Sequence, residues 1–482
     1  MSADLLNLVP AMPEIFLIVA AMALLMVGVY SNNDSGNNVT LLTVAVLMVA
    51  TVMQLVSDPH RITTFDGMFV LDNFAVFSKV LVLSASVFTL LMSRVWLERE
   101  NLTRFEYPIL VIFASVGMMM MISANDLMSL YLGLELQSLT LYVMAAFHRD
   151  NLRSTEAGMK YFVLGSVASG LFLFGASLVY GFTGATGFEA IAKALLATHA
   201  HAGPGILVGL AFIAAGLAFK VSAVPFHMWA PDVYEGAPTP VTSFFAIGPK
   251  IAALALLIRV MIGPFGPLMA QWQQIIVFMS IASMAVGAFA AINQTNIKRM
   301  MAYSSIGHVG YALIGLAVGN ANGIRGVLIY LAIYLFMNLG AFAVILCMRQ
   351  KGRLLEGIND LAGLAKTSPG MALAMAIFMF SMAGIPPLAG FFGKFYVFMA
   401  AVEAKMYGLA VFGVLMSAVG AFYYIRIVKI MYFDEPTENF DQHIGRSMGG
   451  IIAGSAILMM VFFLVPAPLI ALATQAANAL FK

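Results

Sequence analysis

The sequence holds a single cysteine, Cys347, in 482 residues. One thiol cannot close an internal disulfide, and it cannot hold an iron–sulfur cluster or a cysteine-type zinc site. Charge is also scarce. Only 10% of residues are Asp, Glu, Lys or Arg, while 61% are hydrophobic, and mean hydropathy is +0.93. Soluble domains carry roughly 25% charged residues, so this chain has too little polar surface to face water on all sides. Nucleotide signatures are missing. There is no P-loop and no dinucleotide fingerprint, and "GFTGATG" (181–187) follows an apolar run and not a strand, so it reads as a loop. The alternation of a membrane barrel is absent too. Redox and nucleotide chemistry therefore fall to other chains, and no cofactor is expected in this one.

What the chain has instead is apolar length. Runs of about twenty apolar residues, enough for a helix to cross hydrocarbon, recur from end to end. The expected fold is an all-α polytopic membrane protein of about fourteen transmembrane helices. The runs fall at 10–30, 39–57, 69–93, 107–124, 127–147, 157–181, 204–225, 240–261, 272–290, 300–319, 324–348, 371–400 (interrupted), 407–432 and 449–474. The first run follows Asp4 and Glu14 with no basic leader, so it reads as a retained helix. An even number of spans puts both termini on one side. Fifteen lysines and arginines fall in connections on the opposite side. Only six (Arg61, Lys193, Arg259, Arg325, Lys405 and Lys482) fall on the terminal side. The basic side is expected to be cytoplasmic, with the termini outside.

Four of the 25 basic residues fall inside spans: Lys79, Lys220, Lys250 and Lys394. A lysine at the bilayer centre costs about 2.5–3.5 kcal/mol on insertion scales. Such groups invite either an ion-pair explanation or a path for ions. Burial makes the neutral amine accessible, which suits lysine to proton work. Glu135, in "LYLGLELQSL", is the intramembrane acid of the set, able to govern a lysine whose distance from it changes. His308, in "AYSSIGHVGY", has Tyr303, Ser304, Ser305 and Tyr311 around it and reads as a neutral relay. Lys79 has Asp72 two turns away on its own face and could equally be structural. Asp126 and Glu156 sit at span ends with structural roles expected, Glu156 pairing with Lys160 at i, i+4. His199 and His201 read as a solvated turn.

Two spans contain proline breaks next to buried lysines. Pro225 follows Lys220, and "GIPPLAGFFGKF" (384–395) precedes Lys394. Pro225 and Pro386 lie 161 residues apart. The fourth and ninth runs are offset by a similar interval. Five helices therefore read as repeating five helices, and an odd number inverts the second copy. Interrupted helices at matching places in inverted repeats point to a midplane transport site. The expected units are 1–106 (helices 1–3), 107–261 (first five-helix repeat), 270–432 (inverted repeat) and 449–482 (helix 14). The stretch "PFHMWAPDVYEGAPTPV" (225–241) reads as a span end and short loop, with His227, Asp232 and Glu235 placed to take protons from water.

Four stretches carry a resemblance: "FKVSAVPFHMWAPDVYEGAPTPV" (219–241), "NIKRMMAYSSIGHVGY" (296–311), "STEAGMKYFVLGSVASG" (154–170) and "SMAGIPPLAGFFGKF" (381–395). They resemble the antiporter-like membrane subunits of respiratory complex I, from about the third span to the thirteenth. The first two spans carry little signal. The chain ends soon after its last span, without the long C-terminal extension of the L type. It also has Lys394 where the M type usually has glutamate. Both features look like the N type.

The resemblance implies a fourteen-helix proton-translocating subunit with one channel built from two half-channels. It implies that Glu135 and Lys220 form the input pair, that Lys250 bridges at the centre, that His308 lies on the polar axis and that Lys394 ends the output half. It implies partners as well: other membrane subunits and a peripheral arm carrying iron–sulfur clusters, FMN and the quinone site, in a bacterial inner membrane. The rival reading is a subunit of a multi-chain cation/proton antiporter or membrane-bound hydrogenase. A non-pumping scaffold would leave the buried charge unexplained.

Overall fold

The structure, a computed structural model, describes residues 7–31, 35–57, 60–197, 203–436, 440–441 and 445–481. His199, His201 and Lys482 lie outside the described residues. In chain order the helices are α1 (Met12–Tyr30), α2 (Ser35–Val56), α3 (Asn73–Arg99), α4 (Glu106–Ser123), α5 (Leu127–Ala145), α6 (Leu152–Thr183), α7 (Phe188–Ala197), α8 (Pro204–Val221), α9 (Trp229–Gly236) and α10 (Thr239–Ile262). They continue as α11 (Met269–Ile292), α12 (Ile297–Val318), α13 (Ala321–Leu346), α14 (Leu364–Thr367), α15 (Pro369–Ala383), α16 (Ala389–Glu403), α17 (Tyr407–Phe433), α18 (Arg446–Val461) and α19 (Ala467–Asn478). Two short hairpins, 62–64 with 69–71 and 349–350 with 353–354, and four short 3-10 turns complete the described elements.

Thirteen described helices are long and apolar enough to cross a membrane. The remaining expected span is the pair α15 and α16, each 15 residues and too short alone. The helices start where polar side chains satisfy free backbone N–H groups: Asp72, Asp126, Asn151, Asn296 and Asn320 each accept from the first turn of α3, α5, α6, α12 and α13. Helices α10, α12 and α13 are buried along nearly their whole length and form the centre of the bundle. The outer helices expose apolar side chains, as a lipid-facing wall requires.

Both expected interruptions are present. The chain leaves α8 at Ser222 with φ +61 and resumes at α9, and it leaves α15 at Gly384 with φ +87 before α16. A positive φ favours glycine, and the Ile385–Pro386–Pro387 run then prevents helical continuation. Gly390 lets α16 fold back against α15: a Cβ there would sit 1.9 Å from the Ser381 carbonyl oxygen, and its N–H donates to Ser381 Oγ at 2.9 Å. Gly390→Ala is therefore expected to lower stability by about 1–3 kcal/mol, read as earlier thermal loss of the subunit from the assembled complex.

Three features differ from the sequence reading. Residues 229–236 form a helix and not a loop, because Pro231 falls in the first turn, where its missing N–H is no loss. The last run is not one span: Pro466 separates α18 from α19, which packs back on α3 and α13. The third run starts as a strand, with 69–71 in the hairpin before α3.

Candidate functional site

The buried basic residues fall into two sets. The first set is locked to carboxylates. Lys79 Nζ lies 2.5 Å from Glu14 Oε1, both side chains buried, so its partner is Glu14 on α1 and not the expected Asp72. Asp72 instead receives both terminal nitrogens of Arg259 at 2.9 Å each, while Arg259 Nε donates to the Ile122 carbonyl at 2.8 Å. Arg259 was counted as a connection residue; it is buried in α10. Burial alone would raise the Asp72 carboxyl, but the Arg259 guanidinium outweighs it and holds the group below the ordinary value of 3.8. Lys298, also counted with the connections, is buried at the basic end, 2.7 Å from Glu356 and donating to the Ala237 carbonyl at 3.0 Å.

The second set has no carboxylate within 4 Å among the described residues. It comprises Lys220, Lys250 and Lys394, each 6% exposed or less. Lys220, in the last turn of α8 beside the break, donates to Ser138 Oγ of α5 at 2.7 Å. Lys250, in the middle of α10, donates to Ser305 Oγ of α12 at 2.6 Å. Lys394, on α16, donates to the Met382 and Ala383 carbonyls at 3.0 and 2.9 Å and to Ser417 Oγ at 2.8 Å. Those two carbonyls end α15, and the break after Ala383 leaves them free to accept. The negative end of the helix dipole adds to their pull on a cation.

An ammonium has three N–H bonds to satisfy. Lys394 offers its charge three acceptors, whereas Lys220 and Lys250 have one hydrogen bond each. A positive charge is best solvated at Lys394. The faces of Tyr142, Tyr234 and Tyr311 lie 5.9, 5.6 and 4.8 Å from Lys220, Lys250 and Lys394 respectively, adding weak cation–π support.

Glu135 is placed near Lys220 but not in contact. It lies one turn from Ser138 on α5, and its Oε1 is buried without a hydrogen-bond partner. The sequence reading paired Glu135 with Lys220; here a serine occupies the amine, and the carboxylate acts on it only through space. His308 stands close enough to both Lys394 and Lys250 to feel their charges. Its Nδ1 is 2.5 Å from the Tyr330 hydroxyl and its Nε2 3.0 Å from the Tyr424 hydroxyl, which also bonds Ser304 Oγ. A cavity bounded by His308, Lys394, Tyr311 and Tyr424 has about 10 Å³ open to a water centre, room for one water. The neighbours named from sequence were partly right. Tyr330 and Tyr424, the direct partners, come from α13 and α17 and carry no local signal.

Asp232 and Glu235 are not free proton acceptors. Arg299 holds them at 2.6 and 3.0 Å, and Lys160 bridges Asp232 at 3.0 Å to Glu156 at 2.7 Å. His227 Nδ1 is buried and unpartnered. Asp126 caps α5 and accepts from Thr186 Oγ1 at 2.6 Å, a structural role as expected. No cluster of His, Cys, Asp or Glu among the described residues could hold a metal.

Residues 124–420 match a family model described as NADH:quinone oxidoreductase/Mrp antiporter, transmembrane. NADH-quinone oxidoreductase subunit N of Paramagnetospirillum magneticum is 62% identical over 99% of this chain and 98% of its own length. The Rhodospirillum rubrum subunit N is also 62% identical, over 100% and 99%. Among solved structures, a chain of respiratory complex I from Thermus thermophilus superposes with TM-score 0.81 at 31% identity, covering 96% of this chain and 99% of that one. A chain of the Mrp complex from a Dietzia species gives TM-score 0.88 at 20% identity over 99% and 98%, a likeness of fold alone. The chain belongs to the subunit N branch of NADH-quinone oxidoreductase, the proton-translocating antiporter-like membrane subunits of respiratory complex I.

Proposed function

We propose that Lys220, Lys250, His308 and Lys394 form one proton file, with Glu135 setting the charge on Lys220. One observation carries this reading. The three lysines of the file are buried with hydroxyl or carbonyl partners, while Lys79, Arg259 and Lys298 are tied to acids. A buried ammonium without a counter-ion is costly, so its neutral form lies within reach. A lysine locked to a carboxylate has no such freedom. The proton enters at Lys220, passes to Lys250 and then through water and the His308–Tyr424 pair to Lys394. The greater number of acceptors at Lys394 favours travel in that direction.

The energy comes from outside the chain. With no cysteine set and no nucleotide signature, this subunit takes no electrons, and the flavin, iron–sulfur clusters and quinone belong to partner subunits. Their reaction reaches the file as a shift of charge at Glu135. Each charge moved against the membrane potential costs about 2.3 kcal/mol per 100 mV. The subunit sits in the bacterial inner membrane with both termini periplasmic, a placement supported by the excess of lysine and arginine at the other end. Residues 107–261 and 270–432 act as inverted five-helix halves, each contributing one broken helix, flanked by 1–106 and 449–482.

The test is made in the whole complex in vesicles. Glu135→Gln combined with Lys220→Ala should lower the protons that this subunit moves per NADH oxidised by about half. Normal stoichiometry in that double variant sinks the assignment.

A further inference from the structure

A large polar cavity lies off this file. It opens at the basic end with a volume of about 800 Å³ and is lined by Glu100, Glu235, Glu356, Asp360, Lys298 and Thr239, among others. Its acids stand beside bases, Glu235 with Arg299, Glu100 with Arg349 and Glu356 with Lys298, so the cavity is polar and close to neutral. At its wall stands the Lys298–Glu356 pair, with Lys298 only 3% exposed and Glu356 lining the cavity with its side chain 25% exposed.

Two helices run inward from this wall in parallel. On α10, Thr239, Ser243 and Lys250 stand at i, i+4 and i+11 and share one face. On α12, Lys298 and Ser305 stand at i and i+7 and share another. The Lys250–Ser305 hydrogen bond joins the two faces at their inner end. The distance between the two levels is about 10 Å. That interval is not apolar. Ser243 Oγ and the Tyr234 hydroxyl lie within it, both fully buried and without hydrogen-bond partners. The Tyr234 and Tyr334 hydroxyls also approach Ser305 without the alignment of a hydrogen bond. Buried polar atoms are nearly always satisfied, by protein or by ordered water. Orphaned hydroxyls at Ser243 and Tyr234, between an open cavity and a buried amine, describe a place for water.

We propose that this cavity is a second proton mouth, serving Lys250 directly through water held at Ser243 and Tyr234, with Lys298–Glu356 as its gate. A proton arriving on Glu356 neutralises the carboxylate and releases Lys298. The proton then passes inward, Glu356 becomes a carboxylate again and the pair re-forms. The neutral Lys250 amine takes the proton and becomes an ammonium that still donates to Ser305. The route bypasses Lys220, so this subunit has two entrances and one central acceptor. The proposal rests on Lys250 being the centre of the file.

Four variants of the assembled complex in vesicles test it: Ser243→Val, Ser243→Thr, Tyr234→Phe and Lys250→Met. Valine and threonine crowd the site alike and differ only by the hydroxyl. Ser243→Val and Tyr234→Phe should each produce at least half the loss in protons per NADH that Lys250→Met produces, while Ser243→Thr stays near the unaltered complex. If valine and threonine behave alike, whether both normal or both impaired, the second mouth is overturned and the central file stands. If Lys250→Met pumps normally, the file itself fails and this inference falls with it.

Discussion

Lys250→Met is expected to stop proton translocation through this subunit while leaving the complex assembled. Methionine matches the lysine stem in length and is apolar, so it fills the same space between α10 and α12 without burying a charge. The amine is only 2% exposed. Its one hydrogen bond among the described residues goes to Ser305, which keeps its own bond to the Ala302 carbonyl at 2.9 Å when the amine is gone. Packing therefore survives and the titrating group does not. Quinone reduction measured in detergent, where no gradient opposes it, should fall less than the proton yield measured in sealed vesicles. A variant with full proton yield would show that Lys250 is a structural amine.

Asp72→Ala is expected to give the largest loss of stability. It strands the Arg259 guanidinium in the bundle with one carbonyl partner left. Breaking a buried pair from one side typically costs about 3–5 kcal/mol. The double variant Asp72→Leu with Arg259→Met should recover most of that loss, since well-packed apolar residues often replace such pairs without penalty. Thermal release of the subunit from the complex would show the difference. The pair also fixes a pH dependence. A carboxyl held below its ordinary value of 3.8 adds stability above that value and adds less as acid protonates it. The contribution should be constant from neutral pH down to about 4 and fade below it. Loss of the subunit beginning near neutral pH would contradict this.

The spans were readable because hydrocarbon leaves few options: every backbone group must be paired internally, and a helix needs about twenty residues to cross. Buried lysines were readable because each one breaks an apolar run. Their partners were not. Glu14 reads as a flank of the first run, yet it neutralises Lys79 from α1, and Arg259 reads as a connection residue although it reaches Asp72 187 residues away. Which acid meets which base depends on helix packing, and a single sequence holds no record of it. The same holds for Tyr330 and Tyr424 around His308. Nor does the sequence say that Ser138, one turn on from Glu135, takes the hydrogen bond of Lys220.

The central position of α10, α12 and α13 has a consequence for the subunit's response to its surroundings. Lipids press on the outer helices, which tilt when acyl chains are shortened or lengthened. The three inner helices, which carry Lys250, Ser305, His308 and Tyr330, touch almost no lipid. The part of the proposed file that lies on these three helices is thus insulated from bilayer thickness, much as an axle is shielded by its housing. Changing chain length should alter how firmly the subunit is held in the complex well before it alters how fast protons cross.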